Sequence, residues 1–166
     1  MMFRTERMNV SHADEILRWS YEPPYDMYNQ TVDYDSKMEL LNGSYTPVLT
    51  EHNTLFGYYC TGNSAKVPTE SEDMLYPNGF IDKGLGMNPL YTGRGHGVEF
   101  CAFILSEIKK VEQDLPLRLT VATFNTRAIR VYEKLGFRRG DLFKKGKVEF
   151  MTMYEHKTSG RGGESV

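Results

Sequence analysis

No stretch of the 166-residue sequence approaches the roughly 18 consecutive apolar residues that a membrane-crossing helix needs. The opening MMFRTERMNV carries charges where a secretory signal would need an apolar core, so a cytoplasmic protein free of membranes is expected. Cysteine is scarce. Cys60 and Cys101 lie far apart with no CxxC spacing, which excludes a zinc knuckle and a disulfide framework and leaves two reduced thiols; no metal is expected. An excess of one charge is also lacking: 20 Lys and Arg face 22 Asp and Glu, a net charge of −2. That balance gives no footprint for nucleic acid, and Lys109-Lys110 and Lys144-Lys145 read as solvated surface. There is no internal repeat and no linker. One domain over 1–156 is expected, followed by a small polar tail over 157–166.

What is present suits a packed core, with 40% hydrophobic and 13% aromatic residues. Phe3 to Met8 predicts a short strand. Ser11, followed by Asp14 and Glu15, predicts a helix start, and Pro23-Pro24 sets a limit the helix cannot pass. The tyrosine-dense stretch Tyr21–Tyr34 reads as a loop, followed by a helix from Ser36 to Leu41 that ends at Asn42-Gly43. Thr46–Thr50 and Leu55–Thr61 predict a hairpin, Gly62–Asn78 an irregular excursion, and Phe80–Met87 another strand. Apolar residues at 98, 101, 104, 105, 108 and 111 have helical spacing. Leu117–Ala122 alternates as a strand, Ala128–Leu135 is helical before Gly136, and Phe137–Lys144 and Lys147–Tyr154 close the pattern as two strands. The order predicts a mixed α/β domain on one central sheet.

The most informative segment is Gly84-Leu-Gly-Met-Asn-Pro-Leu-Tyr-Thr-Gly-Arg-Gly-His-Gly97, between a predicted strand and an amphipathic helix. Glycines at 93, 95 and 97 permit positive φ and let N–H groups converge on an anion, to which the helix adds its positive end. Arg94 offers a charged fork, and a pyrophosphate is the natural guest. A Walker loop is excluded because no GK[ST] follows, and a dinucleotide fold because the motif does not follow the first strand. A glycine-rich turn without a ligand is the alternative.

Two ordered signatures decide between them. Thr92–Gly97 matches Gln or Arg, two residues, Gly, one residue, Gly or Ala, with Thr92 in place of the usual Gln or Arg. Asn125, Ala128, Tyr132, Gly136 and Phe137 match Asn-x-x-Ala-x-x-x-Tyr-x-x-x-Gly-Phe. In both the chain resembles the GNAT family of N-acetyltransferases, from about Phe3 to Tyr154. The resemblance implies a mixed central sheet of about six or seven strands with about four helices, splayed between the fourth and fifth strands. It implies acetyl-CoA, its pantetheine arm lying in the splay and its phosphates on Thr92, Gly93, Arg94, Gly95, His96 and Gly97. A bulge at Gly84 or Gly86 would free backbone groups of the fourth strand.

Roles follow from what acetyl transfer to an amine demands. The backbone N–H groups of Leu85 and Met87 are candidates to polarise the thioester carbonyl. Tyr132 is the candidate acid for the departing thiolate, or else a packed helical aromatic; Asn125 bonds the pantetheine, caps its helix, or both. The base is open between Asp82, Glu22, Asp26 and water, and Asp82 reads equally as a solvated strand carboxylate. His96 is expected to point outward. Tyr21, Glu22, Tyr25 and Tyr28 either cover the acceptor as a lid or close the core. The expected function is direct acetylation of a primary amine, with a small molecule as the partner. A noncatalytic acyl-CoA sensor and a protein acetyltransferase are the alternatives, and a homodimer through the C-terminal strands is compatible with the sequence.

Overall fold

Asn9, rather than Ser11, opens the first helix. In the computed structural model, which describes residues 1–112 and 114–155, Asn9 is extended and its Oδ1 accepts the His12 amide at 2.7 Å. That occupies one of the first-turn N–H groups that lack a helical partner. Helix α1 spans Val10–Leu17 and buries Ala13, Ile16 and Leu17, while Asp14 and Glu15 fall beyond its first turn. Helix α2 spans Tyr34–Leu40 and starts ahead of the expected Ser36, because the Asp33 carboxylate caps the Ser36 amide at 2.8 Å. The expected domain end at 156 and the tail over 157–166 lie outside the described residues.

Seven strands form one sheet: β1 (Phe3–Thr5), β2 (Tyr45–Thr50), β3 (Leu55–Thr61), β4 (Ile81–Met87), β5 (Leu117–Ala122), β6 (Phe137–Lys145) and β7 (Val148–Glu155). Their order is β1-β2-β3-β4-β5-β7-β6, antiparallel everywhere except between β4 and β5. The excursion after β3 holds a 3₁₀ turn and a short helix α3 (Glu72–Leu75), an element its polar composition did not announce. Helices α4 (Gly97–Val111) and α5 (Thr126–Lys134) are the remaining α-helices of the described residues.

Two cores lie on the sheet. Phe100, Ile104 and Ile108 of α4 and Ile129 and Tyr132 of α5 pack with Leu117, Leu119, Val121, Met151 and Met153. Ala13, Ile16 and Leu17 of α1 and Leu40 of α2 pack with Leu49 and Leu55.

The parallel pair positions the site. β4 and β5 pair only at Ile81↔Leu117, Asp82↔Arg118 and Lys83↔Leu119. Beyond Lys83 both strands continue without a ladder between them, which is the expected splay. The expected bulge is absent: β4 runs against β3 in unbroken register from Thr61↔Lys83 to Gly57↔Met87. Alternation does the bulge's work. The Ile81 amide donates to Pro116 on the β5 side, and the Asn88 amide donates to Phe56 on the β3 side. Antiparallel pairs alternate in this way, so Leu85 and Met87 direct their N–H and C=O groups into the splay.

Candidate active site

At the wide end of the splay the chain turns from β4 into α4. Asn88, 4% exposed, anchors this turn: its Nδ2 donates to Leu55 and its Oδ1 accepts the Leu90 amide. The Thr92 hydroxyl donates to the Pro89 carbonyl at 3.0 Å, so Thr92 locks the turn by its side chain. Gly93 (φ 71°) and Gly95 (φ 86°) are left-handed, a conformation that side chains disfavour. Gly97 has a different reason to be glycine. It opens α4 outside the left-handed region, and a Cβ there would lie 2.9 Å from Val131 Cγ2 of α5. No side chain caps the first turn of α4, which leaves its N–H groups and dipole for an anion.

Arg94 is exposed beside this turn, whereas His96 turns inward, against expectation. Its ring meets Phe56 edge-on at 5.7 Å and Tyr91 at 6.2 Å, an aromatic packing that holds it in place. Arg127, in the first turn of α5, was not foreseen. Its Nη1 would lie 3.0 Å from a Cβ on Gly93, which puts a second guanidinium against the glycine turn.

The far wall of the splay is the start of α5. Asn125 caps it, its Oδ1 accepting the Ala128 amide at 3.1 Å, while its Nδ2 donates to the Tyr28 hydroxyl at 3.2 Å. One helical face further along stands Tyr132, 8% exposed and edge-on to Phe137 at 6.1 Å. Burial pushes its hydroxyl well above the ordinary phenol range, with Cys101 and Tyr28 adding to the rise. Tyr132 therefore stays a neutral phenol at physiological pH.

The tyrosine loop spans the opening from wall to wall. The Tyr21 hydroxyl donates to the Met87 carbonyl, and the Tyr28 hydroxyl accepts from Asn125. Tyr25 and Tyr28 pack on Phe124 at 6.0 and 6.1 Å, and the Arg127 guanidinium lies 4.4 Å over the Tyr25 ring. Glu22 and Asp26 are exposed on the same loop.

Asp82 is not placed to act as a base. Its two oxygens take Arg118 Nε at 2.6 Å and Nη2 at 2.8 Å, and the carboxylate is buried. The guanidinium is sandwiched between the rings of Tyr76 and Phe80 and donates to the Pro77 carbonyl. Both oxygens of the Asp82 carboxylate are held by the buried guanidinium, so taking up a proton would weaken that pair. Strand alternation also turns it to the face opposite Tyr132.

Among the described residues no three His, Cys, Asp or Glu side chains gather as a metal site, and no helix is long and apolar enough to cross a membrane.

An open strand edge, an uncapped helix start behind left-handed glycines, and a buried phenol between them fit an acyl-pantetheine with its diphosphate. Comparison with known proteins agrees. A family model for the acetyltransferase (GNAT) family matches residues 11–137. The chain belongs to that family. It is an acetyl-CoA-dependent acetyltransferase. No curated protein matches by sequence. Among solved structures, a GNAT acetyltransferase from Bacillus anthracis superposes with a TM-score of 0.68 at 18% identity, covering 92% of this chain and 93% of the other. A spermidine N-acetyltransferase chimera from Vibrio cholerae and hSSAT gives 0.67 at 16%, covering 92% and 94%. A Salmonella typhimurium protein solved with its cofactor acetyl-CoA gives 0.58 at 15%, covering 94% and 96%. At these identities the likeness is one of fold.

Proposed function

We propose that this GNAT acetyltransferase moves the acetyl group of acetyl-CoA directly to a primary amine of a small molecule, in the cytoplasm and without a metal. The observation that carries it is the unpaired edge of β4 facing Asn125 and Tyr132 across the splay. The similarity to a spermidine N-acetyltransferase structure supports an amine acceptor.

Acetyl-CoA, when bound, supplies a thioester whose acetyl group an amine can accept. The Leu85 and Met87 N–H groups polarise its carbonyl, since nothing in the sheet competes for them. Gly93, Gly95 and the first turn of α4 receive the diphosphate, with Arg94 and Arg127 at its flank. Asn125 orients the arm once Tyr28 releases it. Tyr132 holds the proton that the thiolate needs. The base shrinks to water, Glu22 or Asp26, whose exposed carboxylates on the loop also attract an ammonium. Tyr21, Tyr25 and Tyr28 then enclose the acceptor.

Direct transfer is favoured over an acyl-enzyme by the state of both thiols. Burial pushes the Cys60 thiol up to about 11 and raises that of Cys101 as well. Neither is a ready thiolate.

Thiol release from acetyl-CoA against a panel of amines, with a no-acceptor control, tests this function. Acceptor-dependent release that falls about 100-fold or more in Tyr132→Phe is expected, the usual scale of a lost general acid. Acetyl-CoA binding with no release for any amine would favour a noncatalytic module.

A further inference from the structure

Lys83 is the last residue of β4 still paired with β5, so it marks the apex of the splay. Alternation turns its side chain, like those of Ile81 and Leu85, toward the α4 and α5 core. It is 1% exposed, and its Nζ has no hydrogen-bond partner. Nζ lies 4.6 Å from the centroid of the Tyr132 ring and 5.6 Å from that of Phe137. The other titratable groups facing it are the thiols of Cys101 on α4 and Cys60 on β3. Asp82, adjacent in sequence, faces the other way and is committed to Arg118.

An amine buried without a partner costs about 1–3 kcal/mol or more, and an apolar side chain of the same length would fill the space without that cost. The Tyr132 and Phe137 rings compensate a cation there only in part, and an anion in the cleft would complete the compensation. We propose that Lys83 is a positioning residue for the leaving group: its amine, over the Tyr132 ring at the apex of the splay, stabilises the negative charge that the departing CoA sulfur and the Tyr132 oxygen share. The proposal rests on the acetyl-CoA function above. As the acceptor nitrogen bonds to the acetyl carbon, the carbon–sulfur bond breaks and its electron pair leaves on sulfur. The Tyr132 hydroxyl proton moves to that sulfur, the acceptor nitrogen loses its extra proton to water, and water returns one to the phenolate. Lys83 exchanges no atom in this sequence except a proton with solvent. Burial lowers its affinity for that proton in the empty site, and an anion at the apex reverses the preference by giving the ammonium a partner.

The test is the ultraviolet titration of the CoA thiol bound to the wild-type chain and to Lys83→Met. At a given pH the wild-type complex should show about a tenfold larger thiolate fraction than the variant, the effect of one nearby opposite charge. The variant's kcat should fall with the KM for acetyl-CoA unchanged. Lys83→Gln, which also lacks the charge, carries the same expectation if Lys83→Met does not fold. Equal titration in wild type and variant, with CoA bound to both, would overturn the proposal. Failure of the wild-type chain to bind CoA at all would overturn the cofactor assignment, and the role of Lys83 with it.

Discussion

The Tyr21 hydroxyl donates to the Met87 carbonyl oxygen at 2.6 Å, across 66 residues of sequence. Met87 lies on the free edge of β4, so the lid holds a backbone group that the pantetheine arm would otherwise pair with. Tyr28 does the same to Asn125 on the opposite wall. Under the proposed function the tyrosine loop and the bound arm compete for the same polar groups, so cofactor entry would displace both hydroxyls.

The first prediction follows from that competition. A neutral hydrogen bond is worth about 0.5–1.5 kcal/mol net. Tyr21→Phe removes one that only the empty site makes, so CoA should bind about 2- to 10-fold more tightly by calorimetry. Weaker binding would mean that the hydroxyl supports the bound arm instead.

Arg127 gives a second. It touches Tyr25 of the lid on one side and approaches Gly93 of the phosphate turn on the other. Arg127→Ala should weaken CoA binding about fivefold at low salt, with less effect as salt rises, as expected for an exposed charge. Acetyl-pantetheine, which lacks the diphosphate, should bind both forms alike. If it too binds the variant less well, Arg127 serves the lid and not the phosphates.

Much of this arrangement could be read from residue order. The apolar spacing of α4 and the alternation in β5 located those elements, because each buries one face and the period records it. The helix starts were less legible: Asn9 and Ser11 are both good caps, and only the fold selects one. The splay came from the Asn125–Phe137 signature, not from periodicity. What stayed hidden was long-range. Nothing local in Asp82 announces Arg118, 36 residues on, and Arg127 reaches Gly93 only because α5 packs on α4 at Gly97. Lys83 was within reach, since the parity that sets Asp82 apart from Ile81 and Leu85 puts Lys83 with them in the core.

The Asp82–Arg118 pair separates stability from catalysis. Removing one partner of a buried ion pair costs about 3–5 kcal/mol, because the other charge stays buried and alone. Asp82→Asn should therefore lower Tm by roughly 10 °C. The kcat of the folded protein should change little. Asp82→Leu combined with Arg118→Met should recover much of the loss, since an apolar pair avoids the desolvation cost altogether. A collapse of kcat at unchanged Tm would restore Asp82 as the base.

Lys83 sets the pH dependence of stability. Burial holds its amine below the ordinary value of 10.5, which it regains in the unfolded chain. Between those two values the unfolded state binds more protons, so this group makes stability rise with pH. Below the folded value the penalty is present in full, and above 10.5 it vanishes. Cys60 acts in the opposite sense, because its thiol is pushed up from 9.0 to about 11 and its contribution is lost as pH rises through that interval. Cys60 and Cys101 both lie near Lys83, so wild type and Lys83→Met are compared below about pH 8, where the two thiols stay neutral and the difference reports the amine. The variant should melt higher than wild type near about pH 6, and the gap should narrow toward about pH 8. A gap that widened with pH would mean that the amine gains a partner on folding, and that Nζ is not the orphan donor its surroundings make it.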